Sequence, residues 1–83
     1  MIFNRLIVLR AEHSVSRAAL AEATGVNAQT IGFIERGDYY PSLELAFKLA
    51  TYFELPLEAV FSDGPFRKLS HEVYGKKEQS HEK

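Results

Sequence analysis

Apolar residues recur at intervals of three and four along most of this chain, and this spacing is typical of amphipathic helices. No alternation of apolar and polar positions is long enough to predict a strand. The predicted helices cover the segments 2–12, 17–24, 28–36, 43–53 and 57–61. Three of them follow residues that suit the N-cap position, because their side chains accept backbone N–H bonds. These capping residues are Ser16, Asn27 and Ser42. The pattern therefore predicts an all-α fold.

The second and third predicted helices meet at Gly25, within RAALAEATGVNAQTIGFIER, which runs from Arg17 to Arg36. Glycine suits the left-handed position after a helix, where a Cβ is disfavoured. Ile31 and Ile34 lie three apart and predict the buried face of the third helix. The other side of that helix is formed by Ala28, Gln29, Gly32, Phe33 and Arg36. Two helices joined by a tight glycine-containing turn, the second presented outward, form a helix-turn-helix.

Length and composition favour one small domain followed by a tail. The 83 residues suffice for a single domain, which we predict over 1–63. The tail, 64–83, follows a turn signal at Ser62 to Pro65. Its apolar residues have weakly amphipathic spacing and are Phe66, Leu69, Val73 and Tyr74. Its end, KKEQSHEK, contains no apolar residue and is predicted to be disordered.

The composition argues against several classes of protein. The chain has no cysteine, so disulfides and thiolate metal sites are impossible. Its three histidines share no metal-ligand spacing, and no Ser/His/Asp constellation or glycine-rich phosphate loop is visible, so we expect no enzyme, no metal and no cofactor. No apolar run approaches the roughly 20 residues that span a membrane. The N-terminus lacks a signal-peptide cleavage site, so we expect a cytoplasmic location.

The distribution of charge gives limited support to nucleic-acid binding. The formal net charge is −1. Residues 1–63 contain five Lys or Arg and eight Asp or Glu, a balance of −3, whereas residues 64–83 contain five and three, a balance of +2. A nucleic-acid-binding domain often has a basic surface. Affinity for DNA must therefore come from a local patch, from helix N-termini or from the tail.

Five segments of the chain, in order, resemble the Cro/C1-type, or xenobiotic-response-element, family of bacterial and phage regulators. They read NRLIVLR (4–10), SRAALAEATGV (16–26), QTIGFIERG (29–37), YPSLELAFKLA (40–50) and LEAVF (57–61). A helix-turn-helix alone is a weak pattern, but Glu-x-Gly followed by Pro-Ser-Leu at the start of a fourth helix is specific. The resemblance implies a compact five-helix, lambda-repressor-like domain that binds double-stranded operator DNA, usually as a dimer.

The resemblance, together with helical spacing, gives the exposed residues of the motif expected roles. Gln29 is the first candidate for base readout, because its amide pairs bidentately with adenine in the major groove. The whole base-reading set is Asn27, Ala28, Gln29, Gly32 and Phe33. The expected phosphate contacts are Arg17, Thr30, Arg36 and Tyr39. Arginine matches phosphate geometry with two parallel hydrogen bonds.

Several of these residues also have a purely structural interpretation. Capping alone explains Asn27, and Thr30 is also explained by its place in the first turn of the helix. Gly32 is alternatively a tolerated small residue, and Phe33 alternatively folds back onto the tyrosines that follow the helix. These interpretations stay open at the level of sequence.

Four positions depart from the pattern of the family that the chain resembles. Arg17 stands where Gln is frequent, Ala28 where Arg is frequent, Gly32 where Ser or Ala is commoner and Asp38 where Lys is frequent. Arg17 still suits a phosphate contact. The other changes remove positive charge and base-reading donors, so the resemblance gives the fold but neither the sequence nor the tightness of a DNA site.

Two further expectations concern the scaffold. The resemblance implies that Arg10 and Glu35 pair between the first helix and the end of the third, the alternative being two separate surface charges. Four apolar residues near the end of the domain are expected to form a homodimer interface, because a short terminal segment of this kind is too apolar to remain exposed. These residues are Leu57, Val60, Phe61 and Phe66.

The leading functional hypothesis is a DNA-binding transcriptional regulator with its third helix in the major groove. One alternative is a protein-interaction module that retains the helix-turn-helix fold, which the acidic core, Ala28 and Phe33 favour. Another is an antitoxin whose tail folds on a small protein partner. The sequence does not separate activation from repression.

Overall fold

The computed structural model describes residues 1–66, so the predictions for the tail, apart from Phe66, fall outside the described residues. This part of the chain contains five helices, which confirms the predicted helical, lambda-repressor-like fold class. The helices are α1 (Leu6–His13), α2 (Arg17–Thr24), α3 (Ala28–Glu35), α4 (Leu43–Tyr52) and α5 (Leu57–Val60). Among the described residues, none of the helices combines the length and the apolar character needed to cross a membrane.

The N-terminus differs from the prediction. The helix predicted to begin at residue 2 begins at Leu6, because β1 (Phe3–Asn4) pairs antiparallel with β2 (Phe61–Ser62). The N–H of Arg5 then donates to the carbonyl of Val60 at 3.0 Å. A pair of two-residue strands leaves no periodic signal in the sequence, so the prediction of no strand is wrong here. The pairing joins the two ends of the domain.

The three predicted N-caps are present. Ser16 Oγ accepts the N–H of Ala19 at 3.0 Å, and Ser42 Oγ accepts that of Leu45 at 3.1 Å. The side chain of Asn27 caps α3 in the same way. Between α2 and α3, Gly25 has a φ of 79°, the left-handed conformation expected of a glycine that ends a helix. Local chemistry therefore fixes where these helices begin and how the turn is made.

The core lies between α1, α2, α3, α4 and α5, and its fully buried side chains come from each of these helices. They are Leu6, Leu20, Ile31, Ile34, Leu49 and Val60. Phe53, just after α4, packs into the same cluster. The apolar stripe that the spacing of Ile31 and Ile34 predicts is therefore the face of α3 that packs inward.

Asn4 ties the first strand to the end of α3. Its side-chain amide donates to the carbonyl of Ile34 at 2.9 Å, and its side-chain oxygen accepts the N–H of Leu6 at 3.1 Å. The second bond satisfies a donor in the first turn of α1, which lacks a side-chain bond from its N-cap residue Arg5. One amide thus fixes the start of α1 relative to the helix that the motif presents.

Two substitutions of Asn4 measure the contributions of these two hydrogen bonds separately. We expect Asn4→Ala to lower the free energy of unfolding by about 1–3 kcal/mol, because both bonds are lost. Asn4→Asp retains the acceptor for Leu6 but loses the donor to Ile34, so its loss should be smaller. Urea denaturation of the three proteins measures this, and equal stabilities would show that the amide does not hold the helices together.

Candidate nucleic-acid interface

The helix-turn-helix unit is held by one face of each of its helices. Leu20 and Ala21 of α2 are buried, as are Ile31 and Ile34 of α3, and α2 packs against both α3 and α4. On the other side of α3, Gln29, Phe33 and Arg36 are exposed. The packing therefore leaves one side of the second helix of the motif facing outward.

The five residues expected to read bases differ in their exposure. Asn27 and Gln29 are exposed, Ala28 is half-buried, and Phe33 is 39% exposed. Gln29 makes no hydrogen bond from its side chain among residues 1–66, so its amide remains available to a ligand. Ala28 packs partly against the core. Gln29 is therefore exposed on the outward side of α3, and its side-chain amide has no hydrogen-bond partner within residues 1–66.

Asn27 and Thr30 bond to each other. The side-chain oxygen of Asn27 accepts the N–H of Thr30 at 2.7 Å and its hydroxyl at 2.9 Å. This is the cap of α3, and it gives both side chains a structural role. Thr30 can donate its hydroxyl to DNA only by sharing or exchanging this bond, whereas the side-chain NH2 of Asn27 takes no part in the cap.

Gly32 is buried, in contrast to its expected position against a base. A Cβ built on it would lie 3.3 Å from Nη1 of Arg36 and 3.7 Å from Nε and Cζ of Arg17. Two guanidinium groups therefore lie against this part of α3. A glycine inside a helix costs about 1 kcal/mol relative to alanine, and the space it leaves is bordered by these two arginines. The geometry argues against base readout by Gly32 and for a role beneath the arginines.

Glu35 holds two arginines. Arg10 donates from Nε to Oε2 at 2.5 Å and from Nη2 to Oε1 at 3.3 Å, while Nε of Arg17 donates to Oε1 at 2.9 Å. The side chain of Glu35 is fully buried, whereas that of Arg17 is 46% exposed. Arg10 also donates to the carbonyl of Val15 at 3.1 Å. One carboxylate thus joins α1, α2 and α3.

The structure brings Arg10 and Glu35 together, as the resemblance implies, but the part played by Arg17 is absent from the sequence prediction. A signal for it exists in the sequence. Glu35 lies four residues after Ile31, so it shares the buried face of α3, and a buried carboxylate requires partners. From the sequence, Arg17 is expected only at a phosphate, so its place in the ion cluster is a finding of the structure.

Burial by itself raises the pKa of Glu35, but the hydrogen bonds from Arg10 and Arg17, and their positive charges, outweigh that effect. The pKa therefore lies below its ordinary value, and the carboxylate is ionised at neutral pH. Arg17 consequently meets a full negative charge on its Nε side. The remaining nitrogens of Arg17 make no hydrogen bond within residues 1–66.

Arg36 lies at the exposed edge of the same surface. Its Nε donates to Asp38 at 3.2 Å, and its Cζ lies 5.2 Å from the centroid of the Phe33 ring. Phe33 therefore contacts an arginine, where the sequence alternative placed a tyrosine. Tyr39 is half-exposed beyond the helix, and the neighbouring Tyr40 accepts the N–H of Ile2 at 3.3 Å.

The residues expected at a dimer interface have different surroundings. Val60 is fully buried in the core, so its assignment to a contact between subunits is wrong. It belongs to the core cluster, and α5 packs against α4. Leu57 and Phe61 are half-buried, and the ring of Phe66 lies 4.1 Å below the guanidinium of Arg5.

Removing the Glu35 carboxylate should destabilise the fold. We expect Glu35→Ala to lower the free energy of unfolding by about 3–5 kcal/mol, because Arg10 loses its partner at a site that is mostly buried. Thermal and urea denaturation measure this. Glu22→Gln, which removes an exposed carboxylate from α2, is the control and should change stability little. An unchanged midpoint for Glu35→Ala would refute a structural role for the carboxylate.

The same carboxylate predicts a dependence of stability on pH. A folded-state pKa below the unfolded value gives stability that is complete above the unfolded pKa of about 4.3 and is lost as pH falls through the folded pKa. The difference in unfolding free energy between the wild type and Glu35→Gln should therefore shrink as pH falls below that value. Urea titrations between neutral and acidic pH measure it, and a constant difference would contradict the assigned ionisation.

Comparison with known proteins agrees with this geometry. A family model described as "Helix-turn-helix" matches residues 6–60, more than half of the chain. An uncharacterized HTH-type transcriptional regulator of Methanocaldococcus jannaschii is 47% identical over 58 residues, which cover 70% of this chain and 88% of that protein. The uncharacterized HTH-type transcriptional regulator YgzD of Bacillus subtilis is 45% identical over 58 residues, covering 70% and 88%.

A solved structure is similar over a larger part of the chain. The crystal structure of a transcriptional regulator from Listeria innocua has a TM-score of 0.64 and 26% sequence identity, and the match covers 90% of this chain and 72% of that one. The matched family consists of transcriptional regulators rather than enzymes, and DNA binding is the activity that membership implies. On this evidence, the chain belongs to the Cro/C1-type (XRE) helix-turn-helix family of transcriptional regulators.

Proposed function

We propose that this regulator binds a specific sequence of double-stranded DNA as a homodimer, with α3 in the major groove. The observation that carries the proposal is the open face of α3. Its inner face is filled by Ile31 and Ile34, while Gln29 on the outside has an exposed amide. A major groove about 12 Å wide admits an α-helix presented in this way.

Base readout would rest on few side chains. Gln29 can pair with N6 and N7 of an adenine, a contact worth about 1–3 kcal/mol of discrimination. Ala28 and Phe33 supply apolar surface, which suits the methyl group of thymine. Asn27 is the remaining polar candidate, subject to its role as cap. With Gly32 buried, the proposed site reads a small number of base pairs in each half-site.

Phosphate contacts would fix the orientation of the helix. Arg17 is half-exposed at the start of α2, and Arg36 is half-exposed at the end of α3, so the two bracket the motif. Thr30 and Tyr39 are the uncharged candidates. Such contacts position a protein on the duplex without reading sequence. The bond from Arg36 to Asp38 offsets part of the positive charge that DNA would meet.

The dimer is proposed through the partly exposed apolar residues at the end of the domain, Leu57, Phe61 and Phe66. Two subunits related by a twofold axis would place their α3 helices in half-sites about 34 Å apart, one turn of the duplex. The operator would then be palindromic. With Val60 in the core, the proposed interface has fewer apolar residues than the sequence suggested.

A second candidate is a protein-interaction module or an antitoxin that retains the fold, with the tail binding a small partner. The exposure of Phe33 on the outward face of α3 favours a protein partner, because large apolar groups are common at such interfaces. The acidic balance of residues 1–63 acts in the same direction.

Salt dependence separates the two candidates. We expect binding to a random duplex whose log affinity falls linearly with log salt, with a slope near −0.9 for each phosphate neutralised. Fluorescence anisotropy at several salt concentrations measures it. Asp38→Asn should bind a few-fold more tightly, because Arg36 loses its competing carboxylate. An absence of binding at low salt would contradict the DNA proposal and favour a protein partner.

Sequence readout has its own test. Selection of bound sequences from a random duplex pool should yield a palindrome with an adenine at a fixed position in each half-site. Gln29→Ala should lose about 1–3 kcal/mol of discrimination at that position alone. Glu22→Ala, on an exposed part of α2, is the control. A Gln29→Ala variant that retains the full preference would remove Gln29 from the readout.

A further inference from the structure

The position of Gly32 within α3 calls for a physical explanation. It is buried, and it lies in the middle of a helix, where glycine is less favourable than alanine. Its backbone is helical, so no left-handed conformation requires a glycine there. The space that a side chain would fill is bordered by Nη1 of Arg36 at 3.3 Å and by the guanidinium of Arg17 at 3.7 Å.

The two guanidinium groups converge on the space that this side chain would occupy. Both lie within 3.7 Å of one point, so Nη1 of Arg36 and Cζ of Arg17 are no more than about 7 Å apart. Two like charges at this separation repel each other unless an anion lies nearby. The buried carboxylate of Glu35 pairs with Arg17, and the exposed carboxylate of Asp38 pairs with Arg36.

The charges of this cluster do not cancel. Arg10, Arg17 and Arg36 carry three positive charges, against two negative charges on Glu35 and Asp38. Each carboxylate bonds an Nε atom, at 2.9 Å for Arg17 and 3.2 Å for Arg36. The terminal nitrogens, which are the part of a guanidinium that grips a phosphate most readily, bond neither carboxylate in these two residues.

We propose that Gly32 is a positioning residue that lets Arg17 and Arg36 form one two-arginine site for a single phosphate group. This inference rests on the proposed function, in which that phosphate belongs to the DNA backbone. Gly32 touches neither a base nor the phosphate. Its missing Cβ lets the guanidinium from the start of α2 and the guanidinium from the end of α3 share one anion, and Glu35 fixes the first of them from the buried side.

The test uses the full chain and its Gly32→Ala variant, with Gly64→Ala as the control. A Cβ at Gly64 meets nothing within 4 Å, so this variant removes a glycine without touching an arginine. The clash in Gly32→Ala falls on the far end of a flexible side chain, so the variant should fold and gain helix stability. A thermal midpoint at or above that of the wild type checks this.

The first readout needs no DNA. Titration with inorganic phosphate should shift the Nε–H signals of Arg17 and Arg36 in NMR spectra with one common dissociation constant, both in the wild type and in Gly64→Ala. In Gly32→Ala the two signals should respond separately and more weakly. Independent responses in the wild type, or an unchanged joint response in Gly32→Ala, would overturn the two-arginine site.

The second readout is binding to a random duplex. Gly32→Ala should bind roughly tenfold more weakly, the order expected for losing one charge-assisted contact. Its salt slope should change little, because the remaining arginine still neutralises the same phosphate. If the wild type binds duplex and Gly32→Ala binds with equal affinity, the site proposal fails and the DNA proposal stands. If the wild type shows joint binding of phosphate but no binding of duplex, the DNA proposal fails and the two-arginine site stands.

Discussion

The structure depends on a carboxylate that has no exposed surface. Glu35 bonds Arg10 of α1 and Arg17 of α2 while standing on α3, so three of the five described helices meet at one side chain. Burial alone would make this charge unfavourable, and the two arginines reverse that effect. Apolar packing among Leu20, Ile31 and Leu49 stabilises the fold, but it is non-directional and does not fix the orientation of the helices by itself. The ion cluster fixes that orientation, because its hydrogen bonds form only when α1 and α2 lie at one orientation to the end of α3.

This arrangement links the fold to the surface that we propose for DNA binding. Arg17 has one side committed to Glu35 and the other half-exposed, so the residue that closes the ion cluster is also available to a phosphate. A chain with a balance of −3 over residues 1–63 cannot rely on a broad basic surface. It concentrates positive charge where α2 begins and α3 ends. A local concentration of positive charge is consistent with the proposal that a few contacts from one helix read the DNA.

Much of the fold follows from short-range patterns in the sequence. The helices, their N-caps and the turn at Gly25 depend on neighbouring residues, so local rules predict them. The strand pair between Phe3–Asn4 and Phe61–Ser62 joins segments far apart in the chain and has no periodicity, so helical spacing extended α1 too far towards the N-terminus. The burial of Val60 depends on the packing of α5 against α4, which the apolar character of a short terminal segment does not reveal. At the site, exposure of Gln29 follows from the period of α3, whereas the burial of Gly32 and the bond from Arg17 to Glu35 depend on how α2 and α3 lie together.

The central claim is that the outward face of α3 lies against a duplex while the ion cluster holds it in place. Mapping amide chemical shifts in the full chain as a duplex is added tests this claim most directly. The account predicts that the largest changes fall on residues 27–33 and on Arg17 and Arg36, with α5 and the inner face of α4 nearly unchanged. Changes concentrated on α4 or α5, with residues 27–33 unaffected, would contradict it.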